Sequence, residues 1–258
     1  MSSWLVLALL ILSSAVPVLA VYFWFRAARY SFSTVRFLLI LLTGAAAYFP
    51  ALVLQSFFPP DFHMAGRLGM LADMFLPVAL TEEFSRLVVL FIFFHFAGKF
   101  DAKQREGEAI HSAGSAGDTE LSVSTAASDK APDPSGYGIL IYGSAAGLIA
   151  GFGFALLESA VFGAVNPGIT LFRLFTAAPI HGACGARTGS AAMLLKKHPI
   201  QAFFRFLTAV MIHGIYNTLI VIPGFASIGA VLIAIFSLAS SIMSIYGSMN
   251  LKNNKPNT

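Results

Sequence analysis

Three glutamates and two histidines lie inside apolar stretches of this chain, where carboxylates and imidazoles are expensive unless they are used. Thr81-Glu82-Glu83-Phe84-Ser85-Arg86 brings two carboxylates and a guanidinium together. Glu158 closes the run Gly151-Phe152-Gly153-Phe154-Ala155-Leu156-Leu157-Glu158. His181 and Arg187 belong to Pro179-Ile180-His181-Gly182-Ala183-Cys184-Gly185-Ala186-Arg187, and His213-Gly214-Ile215-Tyr216-Asn217 adds an imidazole and an amide. A charged group at the bilayer centre costs about 2.5–3.5 kcal/mol on insertion scales, so such residues face protein and are functional candidates. Their types suit amide hydrolysis, which needs a base to activate water and a group to stabilise the oxyanion. Two schemes fit. In one, Glu158, His181 and His213 hold a divalent metal such as zinc, leaving one position open, while Glu82 or Glu83 takes the proton from water. In the other there is no metal: a glutamate activates water directly, His181 orients it, and His213 with Asn217 polarises the carbonyl. Three Glu and two His exceed what the second scheme needs, and the residues alone leave both open.

Helical spacing sharpens the set. Glu82–Arg86 is an i,i+4 pair and Glu83–Arg86 an i,i+3 pair, so at least one carboxylate can be ion-paired within its own helix. Pair geometry assigns Glu82 to Arg86 and frees Glu83 as the base. His213 and Asn217 share a helix face. Gly143, Gly147, Gly151 and Ala155 recur every four residues, a small-residue stripe that permits close helix approach. Glu158 falls near that face and points into protein. Taken singly, each feature has a plainer explanation: a Glu–Arg pair ties a helix, a buried His is a hydrogen-bonding glue residue, and Cys184 is a small hydrophobe. Asp73, near the outer end of its stretch, reads as reaching interface water.

The elements that carry these residues follow from composition. Of 258 residues, 57% are hydrophobic and 11% charged, against about 25% charged in soluble chains, and the mean hydropathy is +0.78. So few polar groups cannot cover a water-facing surface, which excludes a soluble enzyme and a disordered chain, and one Cys excludes an internal disulfide. The pattern predicts an all-α polytopic membrane bundle, one membrane domain over 1–258, with seven spans near 4–25, 36–57, 71–97, 137–165, 171–195, 200–222 and 225–247. Measured from the outer boundaries, Glu82 lies about 11 residues in, His181 about 10, His213 about 9 and Glu158 about 7. At 1.5 Å per residue that is one layer roughly 10–17 Å deep, with Arg86 and Arg187 a layer further in. With the N-terminus outside and the C-terminus inside, 12 of the 16 Lys and Arg fall on the inner side, two on the outer (Arg67, Arg173) and two within spans. The net charge of +4 therefore belongs to cytoplasmic loops and not to nucleic-acid binding. Residues 98–136, rich in Gly, Ser, Ala, Asp and Pro, read as a flexible cytoplasmic loop.

The four motifs, in this order, resemble the PrsW family of intramembrane proteases, part of the superfamily that includes the CAAX prenyl endopeptidases. The family pattern of Glu-Glu-x-x-Lys, Gly-x-Gly-Phe-Ala-x-x-Glu, a mid-helix His and His-Gly-x-x-Asn is carried here by Glu82-Glu83-x-x-Arg86, Gly151 to Glu158, His181, and His213-Gly214-x-x-Asn217. Arg86 keeps the cation and changes its geometry. The resemblance implies cleavage of transmembrane protein substrates within or beside the lipid bilayer, anti-sigma factors among them in bacterial relatives, and hence residence in a bacterial cytoplasmic membrane. It favours the first Glu of the pair as the base. The scaffold subunit of γ-secretase is similar in layout but lacks the Glu pair, so the non-enzyme alternative is a membrane scaffold that binds partner transmembrane helices. A transporter is the third class, and no internal repeat supports it.

Overall fold

Apolar side chains distributed all round a helix leave it no aqueous face, and helices of that kind bury themselves in lipid or in one another. The computed structural model describes residues 3–27, 32–58, 66–114, 136–165, 167–222 and 224–253, and they are helical almost throughout, with no strand among them. The helices are α1 (Ser3–Ala27), α2 (Thr34–Ala46), α3 (Tyr48–Gln55), α4 (Arg67–Asp73), α5 (Thr81–Gly114), α6 (Gly136–Val165), α7 (Pro167–Leu194), α8 (Pro199–Val221) and α9 (Ala226–Asn253), with a π-helical segment, Met74–Leu80, joining α4 to α5. The seven expected spans correspond to α1, to α2 with α3, to the π-segment with α5, and to α6, α7, α8 and α9. Four stretches are long and apolar enough to cross a membrane on composition: Thr34–Gln55, Gly138–Gly163, Pro199–Val221 and Ala226–Gly247. The protein is an all-α integral membrane bundle.

Two elements differ from a straight-span reading. The π-segment contains Pro77, which has no N–H to donate; the wider π turn rearranges the ladder locally, and the Thr81 hydroxyl donates to Pro77 O at 2.6 Å. Such a turn shifts the phase of everything after it, so the facing of Glu82 and Glu83 is set here. At its other end α5 runs on to Gly114, past the expected exit at 98. Lys, Gln, Arg, Glu and Ala in that stretch are strong helix formers, which outweighs the loop-like composition further on. Residues 115–135, the remainder of the expected loop except Gly136, lie outside the described residues.

The core is built on α6, whose membrane stretch is 72% buried, against 33% for α2–α3 and for α8 and 22% for α9. Its glycines explain the position. A Cβ at Gly147 would overlap Gly185 O, and one at Gly151 would overlap His181 O, so α6 and α7 meet backbone to backbone. On the opposite side a Cβ at Gly153 would overlap Leu41 O, and Gly44 of α2 meets Ala150 O in the same way. The expected stripe is thus one of two glycine faces on one helix. Outward, Phe96, Phe203, Phe204 and Phe236 are exposed, as lipid-facing side chains should be.

Candidate active site

Close packing of α6 on α7 decides where two functional groups meet. Gly151 lies against the backbone of His181, and two turns further along α6 the Glu158 carboxylate reaches that imidazole: Oε2 stands 2.6 Å from His181 Nε2. The same oxygen takes an ion pair from Arg173 Nη2 at 2.5 Å. On the other side of the ring, Arg86 Nη2 is 3.2 Å from His181 Nδ1. A guanidinium can only donate, so Nδ1 accepts and Nε2 carries the proton given to Glu158. Arg86 itself is fully buried, with its Cζ 4.5 Å from the centre of the Phe154 ring.

His213 comes from α8 and meets the Glu pair. Its Nδ1 lies 3.0 Å from Glu83 Oε1, and that oxygen is 2.6 Å from Arg86 Nη1. Glu83 Oε2 accepts from Thr188 Oγ1 at 2.7 Å. Both Glu83 oxygens are therefore committed. His213 donates from Nδ1, which leaves Nε2 with a lone pair directed towards Glu82 Oε2, 3.7 Å away. Glu82 Oε1 accepts from Gln55 Nε2 at 3.3 Å, while Oε2 is buried and has no hydrogen-bond partner. The two imidazole rings stand edge to face with centroids 4.9 Å apart. All of Glu82, Glu83, Glu158, His181 and His213 are buried.

This arrangement reverses one expectation. Arg86 pairs with Glu83 and not with Glu82. Arg86 lies over Phe154 and under His181, the side on which its i−3 neighbour sits, whereas Glu82 faces Gln55 and His213. The free carboxylate is accordingly Glu82. Asp73, expected at interface water, is 6% exposed and buried. Arg187 does not join the cluster: its Nη1 donates to Ala183 O at 2.9 Å and to Ser241 Oγ at 2.8 Å. Asn217 is half-buried one turn beyond His213 and makes no hydrogen bond to the cluster. Cys184 is buried with its sulfur 3.5 Å from Ala209 O. Sequence reasoning left out Arg173, Thr188 and Gln55. Thr188 follows His181 by seven residues and so shares its face. Arg173 carried a signal too, since it precedes His181 by about two turns, but it had been counted as an outer-side charge.

The donor set fits a divalent cation. One donor atom each from Glu82, His181 and His213 lies within 4.8 Å of the other two, and two imidazoles with a carboxylate are zinc-type ligands. Three carboxylates against two guanidinia, Arg86 and Arg173, leave one negative charge in excess when both imidazoles are neutral. The orphaned Glu82 oxygen is the group that excess falls on. Atoms bound to one tetrahedral ion at about 2.0–2.2 Å are roughly 3.3–3.6 Å apart. The Glu82–His213 separation of 3.7 Å matches that spacing, and the Glu158–His181 separation of 2.6 Å is that of a hydrogen bond.

No curated protein and no solved structure matches the chain. Residues 34–241, which contain every residue of the cluster, match the family described as PrsW family intramembrane metalloprotease. The buried Glu/His group and the match over most of its length say the same thing, and the chain belongs to the PrsW family of intramembrane metalloproteases.

Proposed function

We propose that this protein is an intramembrane endopeptidase that hydrolyses peptide bonds in single-span membrane proteins, anti-sigma-factor-like substrates being the class the resemblance implies, in a bacterial cytoplasmic membrane. The observation that carries this reading is the buried Glu82 oxygen without a partner, facing the lone pair of His213. Glu82 and the free Nε2 of His213 would hold a divalent ion such as zinc, with His181 joining through Nε2 once that nitrogen gives up its proton to Glu158; the ion when bound supplies Lewis acidity for water activation and carbonyl polarisation. That assignment exchanges Glu82 and Glu158 relative to the ligand set Glu158, His181 and His213 expected from sequence, and the donor spacings favour the exchange.

The remaining roles fall to the chain's own groups. Glu83, held by Arg86, His213 and Thr188, has no free oxygen; it fixes the ring and tautomer of His213, as a carboxylate behind a ligating imidazole does. Arg86 neutralises Glu83 and holds Nδ1 of His181. Glu158 is the least buried of the three carboxylates, 9% exposed against 6% for Glu82 and 0% for Glu83. It takes the proton of the attacking water, with Arg173 setting its orientation. Asn217, one turn further along α8 and with no hydrogen-bond partner for its amide among the described residues, donates to the carbonyl of the scissile bond. The chain crosses the membrane seven times with its N-terminus outside, and the polar layer sits nearer the outer face.

Purified protein and its single variants decide between the roles when bound metal is measured by mass spectrometry beside cleavage of a single-span reporter. Glu82→Gln is expected to lower both metal content and turnover. Glu158→Gln is expected to retain the metal and lose turnover by about 10²–10⁴-fold, the range of a general base. Full cleavage by the Glu82→Gln/Glu158→Gln protein would remove the reading altogether.

A further inference from the structure

A second polar site lies further along α7, towards the turn that joins it to α8. Ser144 of α6, Ala186 and Arg187 of α7, Arg205 of α8, and Ser240, Ser241 and Ser244 of α9 line one cavity of about 130 Å³. Since about 15 Å³ of such space admits one water, the cavity has room for several, and for a tetrahedral anion. Its walls carry two guanidinia and four hydroxyls and no carboxylate. Neither Arg187 nor Arg205 forms an ion pair among the described residues. Arg187 uses Nη1 on Ala183 O and Ser241 Oγ, and Arg205 uses Nη1 on Ser190 Oγ at 3.3 Å. Each guanidinium has five N–H groups in a fixed fork, so most of this donor capacity remains for whatever fills the space.

Position narrows the ligand. Arg187 lies near the end of α7, which stops at Leu194, and Arg205 near the start of α8, which begins at Pro199. At 1.5 Å per residue they are about 12–14 Å from the turn holding Lys196 and Lys197. The Arg205 side chain leans towards that turn, as helical side chains lean towards the N-terminus of their helix, while Arg187 is turned back onto Ala183 O. Ser240 and Ser244 are exposed on the bundle surface, so the cavity opens sideways towards lipid. Two cations without a counter-ion at this depth are costly, and a phosphate oxyanion removes the cost through charge-assisted, bidentate bonds. Basic pockets between helices on the cytoplasmic side are where anionic headgroups dock.

We infer that Arg187, Arg205 and the α9 serines form a binding site for a phosphate group, supplied by the headgroup of an anionic phospholipid inserted between α8 and α9 or by free phosphate. This site adjoins the Glu/His cluster, since Arg187 neighbours the Thr188 that holds Glu83, and its cytoplasmic placement rests on the topology proposed above, but it shares no lining residue with the cluster.

Native mass spectrometry of the full chain in detergent tests it, with phosphatidylglycerol, phosphatidylcholine and inorganic phosphate as the added probes. The wild type should retain one more phosphatidylglycerol than Arg187→Gln/Arg205→Gln, with apparent affinity at least tenfold higher, and phosphatidylcholine should show no such difference. Retention unaffected by excess inorganic phosphate identifies the lipid as the source; displacement by inorganic phosphate, lost in the same variant, identifies free phosphate. Arg205→Lys and Ser240→Ala/Ser244→Ala keep the helices intact even where the Gln variant fails to fold, and each should weaken binding about threefold or more. Equal binding of every probe by the wild type and by these milder variants would overturn the site.

Discussion

The two polar regions of this bundle solve one problem differently. Around Glu82, Glu83 and Glu158, four helices bring acids, bases and imidazoles into contact, and nearly every polar atom is matched within the chain. Around Arg187 and Arg205, two cations share a cavity with hydroxyls, and no acid is among its lining residues. In the first region the buried atoms left without a partner are Glu82 Oε2 and the Nε groups of Arg86 and Arg173; under the proposed function the Glu82 oxygen and the His213 lone pair it faces go to a cation. The second has no carboxylate in its lining, and its open donors go, as we infer, to an anion. Buried polar groups are tolerated in a membrane when satisfied, so what each group is left without is more informative than its presence.

The sharpest way to break this contrast is to alter the acid that the cluster leaves unmatched. Glu82→Gln should reduce cleavage of a single-span reporter by at least about 10³-fold while leaving the thermal unfolding midpoint near that of the wild type, because a neutral amide no longer holds a cation but still accepts from Gln55. Glu83→Gln should do the reverse in part. It removes the charge that Arg86 is buried against, and breaking a buried pair from one side costs about 3–5 kcal/mol. A Glu83→Gln protein as stable as Glu82→Gln would mean that the two carboxylates are not distinguished as their contacts suggest.

A smaller loss is expected from the scaffold that sets the comparison up. Gly151→Ala places a methyl where His181 O already is, and backbone cannot step aside as a side chain can. Overpacking of this kind costs about 1–3 kcal/mol. Because the displaced residue is His181 itself, cleavage should fall while phosphate-probe retention at Arg187 and Arg205 stays at the wild-type level. Parallel loss of both would show that α6 and α7 move as one rigid pair.

Orientation and cut site belong to the same test. Lys197→Cys, in the turn between α7 and α8, and Phe225→Cys, between α8 and α9, are both at exposed positions, while native Cys184 is buried. A membrane-impermeant thiol reagent applied outside should label the second and spare the first. Product termini should then cluster in the outer third of the substrate's transmembrane segment, where a short path to water meets a helix end that unwinds easily. Labelling of Lys197→Cys from outside would invert the whole scheme.

How much of this was readable beforehand depends on the kind of contact. Glu82, Glu83, Glu158, His181 and His213 stand out because an ionisable group in an apolar run is conspicuous without any structure, and their shared depth follows from counting. Which glutamate Arg86 takes was not readable. Both i,i+3 and i,i+4 partners are allowed on a helix, and the choice was made by Phe154 and His181, which come from other helices. The π turn over Met74–Leu80 was announced only by Pro77, a residue equally consistent with a kink. The pairing of Arg173 with Glu158 was not readable because charge counting gives a basic residue near a span end a side and no partner. The Arg187–Arg205 cavity was invisible for the same reason: Arg205 reads as an ordinary inner-side charge until α7 and α9 close around it.

The smallest effect bears on the smallest contact. Gln55, at the end of α3, donates to Glu82 Oε1 at 3.3 Å, a long bond to a carboxylate whose other oxygen has no partner. Its loss costs little in folding, within about 0.5–1.5 kcal/mol for a net hydrogen bond, since Gln55 is only half-buried and water or lipid headgroups can replace a neighbouring amide. Its effect on function should be larger than its effect on stability. Outer partners that orient a metal-ligating group typically contribute 10–100-fold in affinity or activity, and Gln55 is the only hydrogen-bond donor to Glu82 among the described residues. Gln55→Ala should therefore leave the unfolding midpoint almost unchanged, weaken metal retention during dialysis against a chelator by about tenfold, and lower turnover to match. Gln55→Asn, with the same amide on a shorter stem, should recover little of either. A Gln55→Ala protein that holds its metal as the wild type does would show that Glu82 is oriented by α5 alone, and that the cluster needs no help from α3.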